Sequence, residues 1–256
     1  MKTISVSLLA IFAIAAPLCA QTPGASRAAA PKTATATAAR KTAVPASAAI
    51  SRALMNPALL KARAPESFKA RFTTTKGDFV VEVHRDWSPL GADRFYNLVK
   101  NGFFNNAHFF RVVSGFVVQF GLSPSAAVNK VWKDATIQDD PVKQTNAKGA
   151  LTFATAGPNT RTTQLFINLA DNTRLDKMGF SPFGSVIEGM NVVEKLYAGY
   201  GEAPNQGRIE SEGKAYLDKS FPLLDSIKVA RLEGVAAAVP AARKAAPAKA
   251  AAPAHK

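Results

Sequence analysis

The sequence predicts a mainly β fold, a sandwich or barrel with helices at its ends, for residues 67–233. Two observations carry this prediction: β-prone runs recur through the stretch, and only two segments have helical character. Strand and helix do not alternate regularly, which argues against a parallel sheet with crossover helices. About 167 residues are enough to bury roughly two-thirds of the surface that the unfolded chain exposes.

The first element is a predicted β-hairpin. Residues 72–75 and 79–83 are rich in β-branched and aromatic residues. The connection Lys76-Gly77-Asp78 contains a glycine that can adopt the positive φ of a tight turn. The pattern therefore predicts two antiparallel strands.

A helix is predicted after the hairpin. Ser88 can cap it, Pro89 fits its first position, and Gly102 suits its carboxyl end. Residues 190–197 form the second predicted helix. Further strands are predicted at residues 109–113, 116–120, 150–154, 164–169, 182–187 and 223–230.

The first twenty residues have the features of a secretory signal peptide. Lys2 supplies a positive start, residues 4–16 are apolar, and Ala20 is a small residue at the end. The apolar run is shorter than the roughly 20 residues that span a bilayer. We expect an exported protein, periplasmic or secreted, with cleavage after Ala20. Lipidation of Cys19 is the alternative, which the bulky residue before it disfavours.

Two segments that flank the centre are basic and poor in large apolar residues. Residues 21–66 carry seven basic residues against one acidic residue, and residues 234–256 carry four against none. Chains of this composition cannot bury enough surface to offset their conformational entropy. We expect flexible arms, with a short helix at 50–63 in the first. They serve either as spacers or as weak contacts with anionic surfaces or nucleic acid.

Several kinds of chemistry find little support. The single cysteine excludes an internal disulfide and a Cys-cluster zinc site, and three histidines leave little room for a metal centre. No phosphate-binding loop is present. His108 is interpreted as a sheet residue, and the pair Asp139-Asp140 as solvated loop acids. Residues 200–219 are interpreted as a polar insertion. We expect no metal and no cofactor.

Two polar residues interrupt apolar runs. Arg111 stands in FFRVV and Gln119 in GFVVQF. Both side chains could lie on a solvent-facing side of their strands. Alternatively, an amide could hold the guanidinium beside a pocket of phenylalanines, where a fixed donor is worth more than in water. The pattern alone leaves both readings open.

Three blocks resemble the cyclophilin family. Residues 110–121 read FRVVSGFVVQFG and are similar to the motif F-H-R-[IV]-[IV]-x-G-F-x-x-Q-x-G, with one residue dropped. Residues 154–167 resemble M-A-x-A-G-P-x-T-x-x-S-Q-F-F-I, and residues 183–190 resemble F-G-x-V-x-x-G-M. The blocks occur in the family's order and cover nearly all of 67–233.

The resemblance implies peptidyl-prolyl cis-trans isomerisation on a closed eight-stranded antiparallel β-barrel capped by two α-helices. It assigns catalysis to Arg111, Gln119 and Phe116. It assigns substrate binding to Val117, Ala154, Thr155, Ala156, Gln164, Phe166, Leu175 and Phe180. The partners it implies are flexible proline-containing polypeptides, and the protein it implies is a monomer. A binding module with little turnover is the alternative function.

The chain departs from the family pattern at three positions near this predicted site. Arg174 stands where many members have tryptophan, Val117 where methionine is usual, and Phe180 where a histidine is usual. The arginine and glutamine of the first block remain. We therefore expect the activity to survive these changes.

Overall fold

The computed structural model describes residues 52–234. The predicted signal peptide at 1–20, the arm up to residue 51 and the tail from residue 235 lie outside the described residues. The strands are β1 (Ser67–Thr74), β2 (Gly77–His84), β3 (Arg111–Val113), β4 (Val117–Phe120), β5 (Ala150–Phe153), β6 (Leu165–Asn168), β7 (Pro182–Glu188) and β8 (Ile227–Glu233). The α-helices are α1 (Pro89–Lys100), α2 (Ala126–Trp132), α3 (Met190–Glu194), α4 (Gln206–Glu212) and α5 (Lys214–Ser220).

The eight strands form one antiparallel sheet in the order β3-β4-β6-β5-β7-β2-β1-β8. The mainly β, eight-stranded antiparallel prediction is confirmed, but the closed barrel needs correction. Within residues 52–234, the edge strands β3 and β8 share no ladder. They meet at a single antiparallel bridge just before each strand, between His108 and Ser226. The sheet is therefore curled, and its two edges touch at one end.

The predicted hairpin is present as β1 and β2. Thr74 pairs with Gly77, so the turn consists of Thr75 and Lys76 and lies one residue earlier than predicted. Gly77 has φ +126°, a conformation that favours glycine. The rings of Phe72 and Phe79 face each other across the pair with centroids 4.8 Å apart. This stack begins a phenylalanine-rich core under the curled sheet.

Helix α1 begins at Pro89 as predicted, but its first turn is satisfied by a distant residue. The Ser88 hydroxyl donates to Asp140 Oδ2 at 2.6 Å instead of capping the helix. The amides of Leu90 and Gly91 also donate to Asp140, at 3.1 and 2.9 Å. Asp140 is only 5% exposed and pairs with Arg161. The prediction of a solvated Asp139-Asp140 pair was thus wrong for Asp140, which is a buried anionic cap.

More helices are present than the two predicted. Among the described residues, α2, α4 and α5 are additional, and α4 and α5 lie in the segment interpreted as a polar insertion. Their apolar residues pack into a second, smaller core, which consists of Phe110, Leu122, Ile209, Tyr216, Leu217 and Leu224. Short helices like these depend on tertiary packing more than on propensity, which is why the sequence pattern missed them. None of the helices in the described part of the chain is long and apolar enough to cross a membrane.

The segment before β1 packs on the sheet domain. Two 3-10 turns, Arg52–Met55 and Pro57–Leu59, occupy the region where a short helix was expected. Leu54 is buried, and its carbonyl accepts a hydrogen bond of 2.8 Å from the indole of Trp132. The side chain of Asn97 donates to the Ala62 carbonyl and accepts from the Ala62 amide. Residues 52–66 therefore share the hydrogen bonding of the folded domain.

The last strand and helix α3 differ from the predicted bounds. β8 begins at Ile227, four residues later than predicted, because the preceding residues form a turn anchored by Asp225. Its carboxylate accepts from the Thr75 hydroxyl at 2.6 Å and from the Tyr197 amide at 2.8 Å. The Tyr197 contact joins this turn to the chain that follows α3.

His108 was interpreted as a sheet residue, and it lies at the bridge between the two sheet edges. From its burial we predict that the protein loses stability in acid. The residue is 7% exposed, and Nε2 lies 3.4 Å from Asp218 on α5. Burial and the nearby Lys214 lower the pKa of His108 to about 4, against the opposing effect of Asp218. In the unfolded chain His108 takes up a proton near its ordinary pKa of 6.5, whereas in the folded protein it does so only near pH 4. Its protonation therefore does not lower the free energy of unfolding above pH 6.5, but lowers it progressively between pH 6.5 and 4.

We expect the His108 proton to account for about 2–3 kcal/mol of acid destabilisation across this window. Urea unfolding at pH 7.5 and pH 4.5 measures the change in the wild type and in His108→Gln. The variant should lose less free energy of unfolding between the two pH values. An equal loss in both proteins would contradict the prediction.

Candidate active site

A row of cross-strand partners forms the base of the site. Arg111 on β3 pairs with Gln119 on β4, and Gln119 pairs with Phe166 on β6. Directly opposed residues of antiparallel strands project to the same face of a sheet. Their neighbours Val118 and Ile167 belong to the phenylalanine-rich core on the other face. These central strands are therefore buried on both sides, by a core beneath and by the site above.

A chain of hydrogen bonds connects the polar side chains of the site. Arg111 Nη1 donates to Gln119 Oε1 at 3.2 Å, and Gln119 Nε2 donates to Gln164 Oε1 at 2.8 Å. Gln119 is only 8% exposed, so its amide has little freedom to turn away. The solvent-facing alternative for Arg111 and Gln119 does not describe this geometry, because both side chains line a cleft. The glutamine pair sets the orientation of one edge of the guanidinium.

Two arginines approach the same aromatic ring. The guanidinium carbon of Arg111 lies 5.7 Å from the ring centroid of Phe116, and that of Arg174 lies 5.0 Å from it. Cations at this distance from a ring face are attracted by its quadrupole. Arg111 also donates through Nε, at 2.7 Å, and through Nη2 to Glu202 Oε1.

Apolar side chains beside Arg111 form a pocket. Val117, Phe166 and Leu175 are buried and pack together. The ring of Phe180 meets that of Phe166 edge-on at 5.6 Å between centroids, and Ala154 packs against the group. The pocket therefore forms an apolar surface beside the guanidinium of Arg111, which hydrogen bonds hold in place.

The neighbouring wall is a turn held by its own hydroxyl groups. Thr155 and Thr160 share a hydrogen bond of 2.8 Å, and both hydroxyls reach the carbonyl of Gly157. The Ala154 amide donates to the Gln164 carbonyl at 2.9 Å, which ties the turn to the start of β6. The turn therefore presents Ala154, Thr155 and Ala156 to the cleft in a defined order.

Close backbone contact brings Gln164 within hydrogen-bonding distance of the Gln119 side chain. Gly121, just after β4, has φ +106°, and a Cβ there would lie 2.3 Å from the carbonyl oxygen of Thr163. Only glycine fits this approach. The Thr163 hydroxyl also donates to the Gly121 carbonyl at 2.8 Å. The glycine that ends the first sequence block thus determines the spacing of the glutamine pair.

A partly buried polar network holds the wall that carries Leu175 and Phe180. Asp176 Oδ1 accepts from the amide and the side chain of Asn146 at 2.8 and 2.7 Å, and Oδ2 accepts from the Thr145 hydroxyl at 2.7 Å. The Asn146 side chain also donates to the Phe180 carbonyl at 2.9 Å. Burial opposes the charge of Asp176, but these hydrogen bonds outweigh it and lower the pKa of the carboxyl group.

The cleft that these elements enclose has a volume of about 870 Å³. All eleven residues assigned to the site from the sequence line it, namely Arg111, Phe116, Val117, Gln119, Ala154, Thr155, Ala156, Gln164, Phe166, Leu175 and Phe180. They come from segments up to 69 positions apart in the chain, from Arg111 to Phe180. Their roles in catalysis and binding stay predictions.

Sequence reasoning did not assign a further group of residues to the site. Eight more residues line the cleft: Lys133, Thr136, Thr160, Thr162, Arg174, Met178, Gln206 and Glu210. Glu202 contacts Arg111. Asn146 and Asp176 stabilise the wall that carries Leu175 and Phe180 through hydrogen bonds, without lining the cleft themselves. The insertion contributes Glu202 and part of this lining, a contribution that becomes visible only when α4 packs beside α2.

The site places an apolar pocket directly beside a hydrogen-bond donor. The pocket of Val117, Phe166 and Leu175 can exclude water from an apolar ring, and the Arg111 guanidinium offers N–H donors at its edge. A donor in such surroundings acts more strongly than in bulk water and needs no reorientation. The site can therefore bind an apolar ring next to a hydrogen-bond acceptor.

Comparison with known proteins identifies relatives of this chain. A family model described as "Cyclophilin type peptidyl-prolyl cis-trans isomerase/CLD" matches residues 69–214. A peptidyl-prolyl cis-trans isomerase of Acinetobacter baylyi is 32% identical over 143 residues, which cover 54% of this chain and 76% of the relative. Peptidyl-prolyl cis-trans isomerase B of Escherichia coli is 32% identical over 133 residues, covering 49% and 81%. A crystal structure of a Cryptosporidium parvum cyclophilin type isomerase matches with a TM-score of 0.49 and 22% identity, covering 65% of this chain and 97% of that one.

We expect Asp176→Ala to loosen the wall that carries Leu175. The substitution leaves the Asn146 and Thr145 donors without their charged acceptor, so the free energy of unfolding should fall by about 1–3 kcal/mol. Urea unfolding measures the change. Asp171→Ala is the matched control, because Asp171 is exposed and accepts one hydrogen bond, from the Lys148 amide.

The contribution of Asp176 should also depend on pH. Because the folded-state pKa is lowered, the stabilisation is present above the ordinary value of 3.8 and is lost as the pH falls through the folded-state value. The difference between the wild type and Asp176→Ala should therefore shrink in acid. A difference that stays constant down to pH 2.5 would count against the proposed hydrogen bonding.

Proposed function

The chain belongs to the cyclophilin-type peptidyl-prolyl cis-trans isomerase family, and we propose that it rotates X-Pro peptide bonds with Arg111 as the catalytic residue. The barrier to this rotation is about 18–20 kcal/mol, because the planar amide loses its resonance when it twists. As resonance is lost, the prolyl nitrogen recovers a lone pair. A donor near this nitrogen binds the twisted state better than either planar isomer, and such differential binding is the condition for catalysis.

One observation carries the assignment of Arg111. Its guanidinium is held by Gln119 at the edge of the apolar pocket formed by Val117, Phe166 and Leu175. A prolyl ring in that pocket would bring its nitrogen toward the guanidinium. The reaction needs no proton transfer and no covalent intermediate. Gln119 serves to orient the arginine and to offer an amide to a substrate carbonyl.

The neighbouring surface suits the residues on either side of the proline. Ala154, Thr155 and Ala156 form a wall that an extended peptide could follow, and Gln164 lies at its base. The cleft holds about 870 Å³, which accommodates several residues. We infer that the substrates are proline-containing segments of flexible or unfolded polypeptides, and that the protein assists their folding.

We expect Arg111→Ala to lower kcat/KM for an X-Pro peptide by roughly 10²-fold, the usual loss when one preorganised transition-state donor is removed. A protease-free isomerisation assay on a short Ala-Pro peptide with the full-length protein measures it. Arg208→Ala is the matched control, because Arg208 also pairs with a glutamate on the surface but does not line the cleft. It should retain the wild-type rate.

Peptide binding distinguishes this function from its alternative. Binding of the same peptide, measured by NMR titration, should be weakened far less than turnover in Arg111→Ala. A folded wild-type protein that binds the peptide but does not turn it over would instead be a proline-binding chaperone module. Equal activity in the wild type and in Arg111→Ala would move the chemistry to another residue.

We also propose that the protein is exported. The support is the positive start at Lys2, the apolar run at 4–16 and the small residue Ala20. The protein recovered from the periplasm of a Gram-negative expression host should have the intact mass of residues 21–256, as measured by mass spectrometry. A mass that includes residues 1–20, or one that shows a diacylglycerol adduct on Cys19, would contradict cleavage after Ala20.

A further inference from the structure

The insertion between α3 and β8 reaches the proposed catalytic arginine. Glu202, in the loop before α4, accepts hydrogen bonds from Arg111 Nε at 2.7 Å and from Arg111 Nη2, both through Oε1. The two residues are 91 positions apart in the chain. No other carboxylate in residues 52–234 pairs with Arg111.

Glu202 and Gln119 bind different parts of the guanidinium. Glu202 accepts from Nε and Nη2, whereas Gln119 accepts from Nη1. The side chains of Arg111 and Gln119 line the cleft. Glu202 therefore adds a second support to the arginine and does not replace Gln119.

The loop that carries Glu202 is fixed to the second, smaller core. The Ala203 amide donates to the Tyr200 carbonyl at 2.9 Å, and the Asn205 amide lies 3.2 Å from the Tyr216 hydroxyl. The ring of Tyr200 meets that of Phe221 edge-on at 5.0 Å between centroids. These contacts hold the loop on both sides of Glu202.

Glu202 and Gln119 together use three of the five N–H groups of Arg111. Glu202 takes Nε and one hydrogen of Nη2, and Gln119 takes one hydrogen of Nη1. Among the described residues, one N–H on each terminal nitrogen then remains for a substrate. Because two edges of the planar group are fixed, its rotation about the side-chain bonds is restricted.

We propose that Glu202 is a positioning residue for the isomerase reaction, which holds the Arg111 guanidinium in the orientation that the twisted X-Pro bond requires. This inference rests on the proposed role of Arg111. It gives the α4–α5 insertion a function: its loop supplies the second support of the arginine, opposite Gln119.

The expected effect is moderate, because the side chain of Glu202 is 66% exposed and that of Arg111 is 25% exposed. Exposed ion pairs contribute little and are screened by salt. We expect kcat to fall about two- to five-fold in Glu202→Ala, with KM nearly unchanged. Glu202→Gln retains an acceptor oxygen and should lose less.

The experiment compares kcat and KM of the full-length wild type, Glu202→Ala, Glu202→Gln and Glu212→Gln at low and high ionic strength. Glu212 is the matched control, because it lies in the same insertion and pairs with an exposed arginine, Arg208, away from the cleft. Salt should lower the wild-type kcat toward that of Glu202→Gln and leave the Glu202 variants almost unaffected. Urea unfolding of each variant checks that stability is unchanged.

The Arg111→Ala background supplies the decisive comparison. If Glu202 acts through the arginine, adding Glu202→Ala to Arg111→Ala should cause no further loss. An additional loss in that background, a wild-type kcat in Glu202→Ala, or a higher kcat in that variant would overturn the inference while leaving the proposed function intact. An inactive but folded wild type would overturn the proposed function itself, and the positioning role with it.

Discussion

The two-residue alternation of the central strands is the constraint on which the rest of the structure depends. Residues of β4, β5 and β6 are buried on both faces, so each strand must satisfy a core on one side and a cleft on the other. Val118 and Ile167 fill the phenylalanine-rich core, and Gln119 and Phe166, one residue away, face the cleft. A register shift of one residue would exchange these roles.

Polar groups buried behind the walls keep the cleft in shape. Asp140 caps α1, and Asp176 with Asn146 holds the segment that carries Leu175. In both places a carboxylate accepts several N–H or O–H donors at once; Asp140 is buried and Asp176 is half-buried. These hydrogen bonds hold the loops that line the cleft in place although the loops have no regular secondary structure. The apolar pocket beside Arg111 therefore keeps its shape.

The α4–α5 insertion forms a second, smaller core and brings it to the edge of the cleft. Ile209 and Tyr216 anchor the two helices against residues that flank β3 and β4. From this base the insertion places Gln206 and Glu210 in the cleft lining and Glu202 on Arg111. A segment interpreted from the sequence only as a polar insertion thus contributes directly to the electrostatics of the site.

The sequence by itself determined the mainly β class, the first hairpin, the start of α1 at Pro89 and, through the cyclophilin resemblance, eleven residues that line one cleft. These features depend on local patterns or on contiguous motifs. Only the tertiary structure decided that Gln119 donates to Gln164, that Asp140 caps a helix 50 residues earlier, and that Glu202 supports Arg111. Each of these contacts joins groups that become neighbours when the sheet curls, and no local pattern in the chain encodes a hydrogen bond between residues that only the fold brings together.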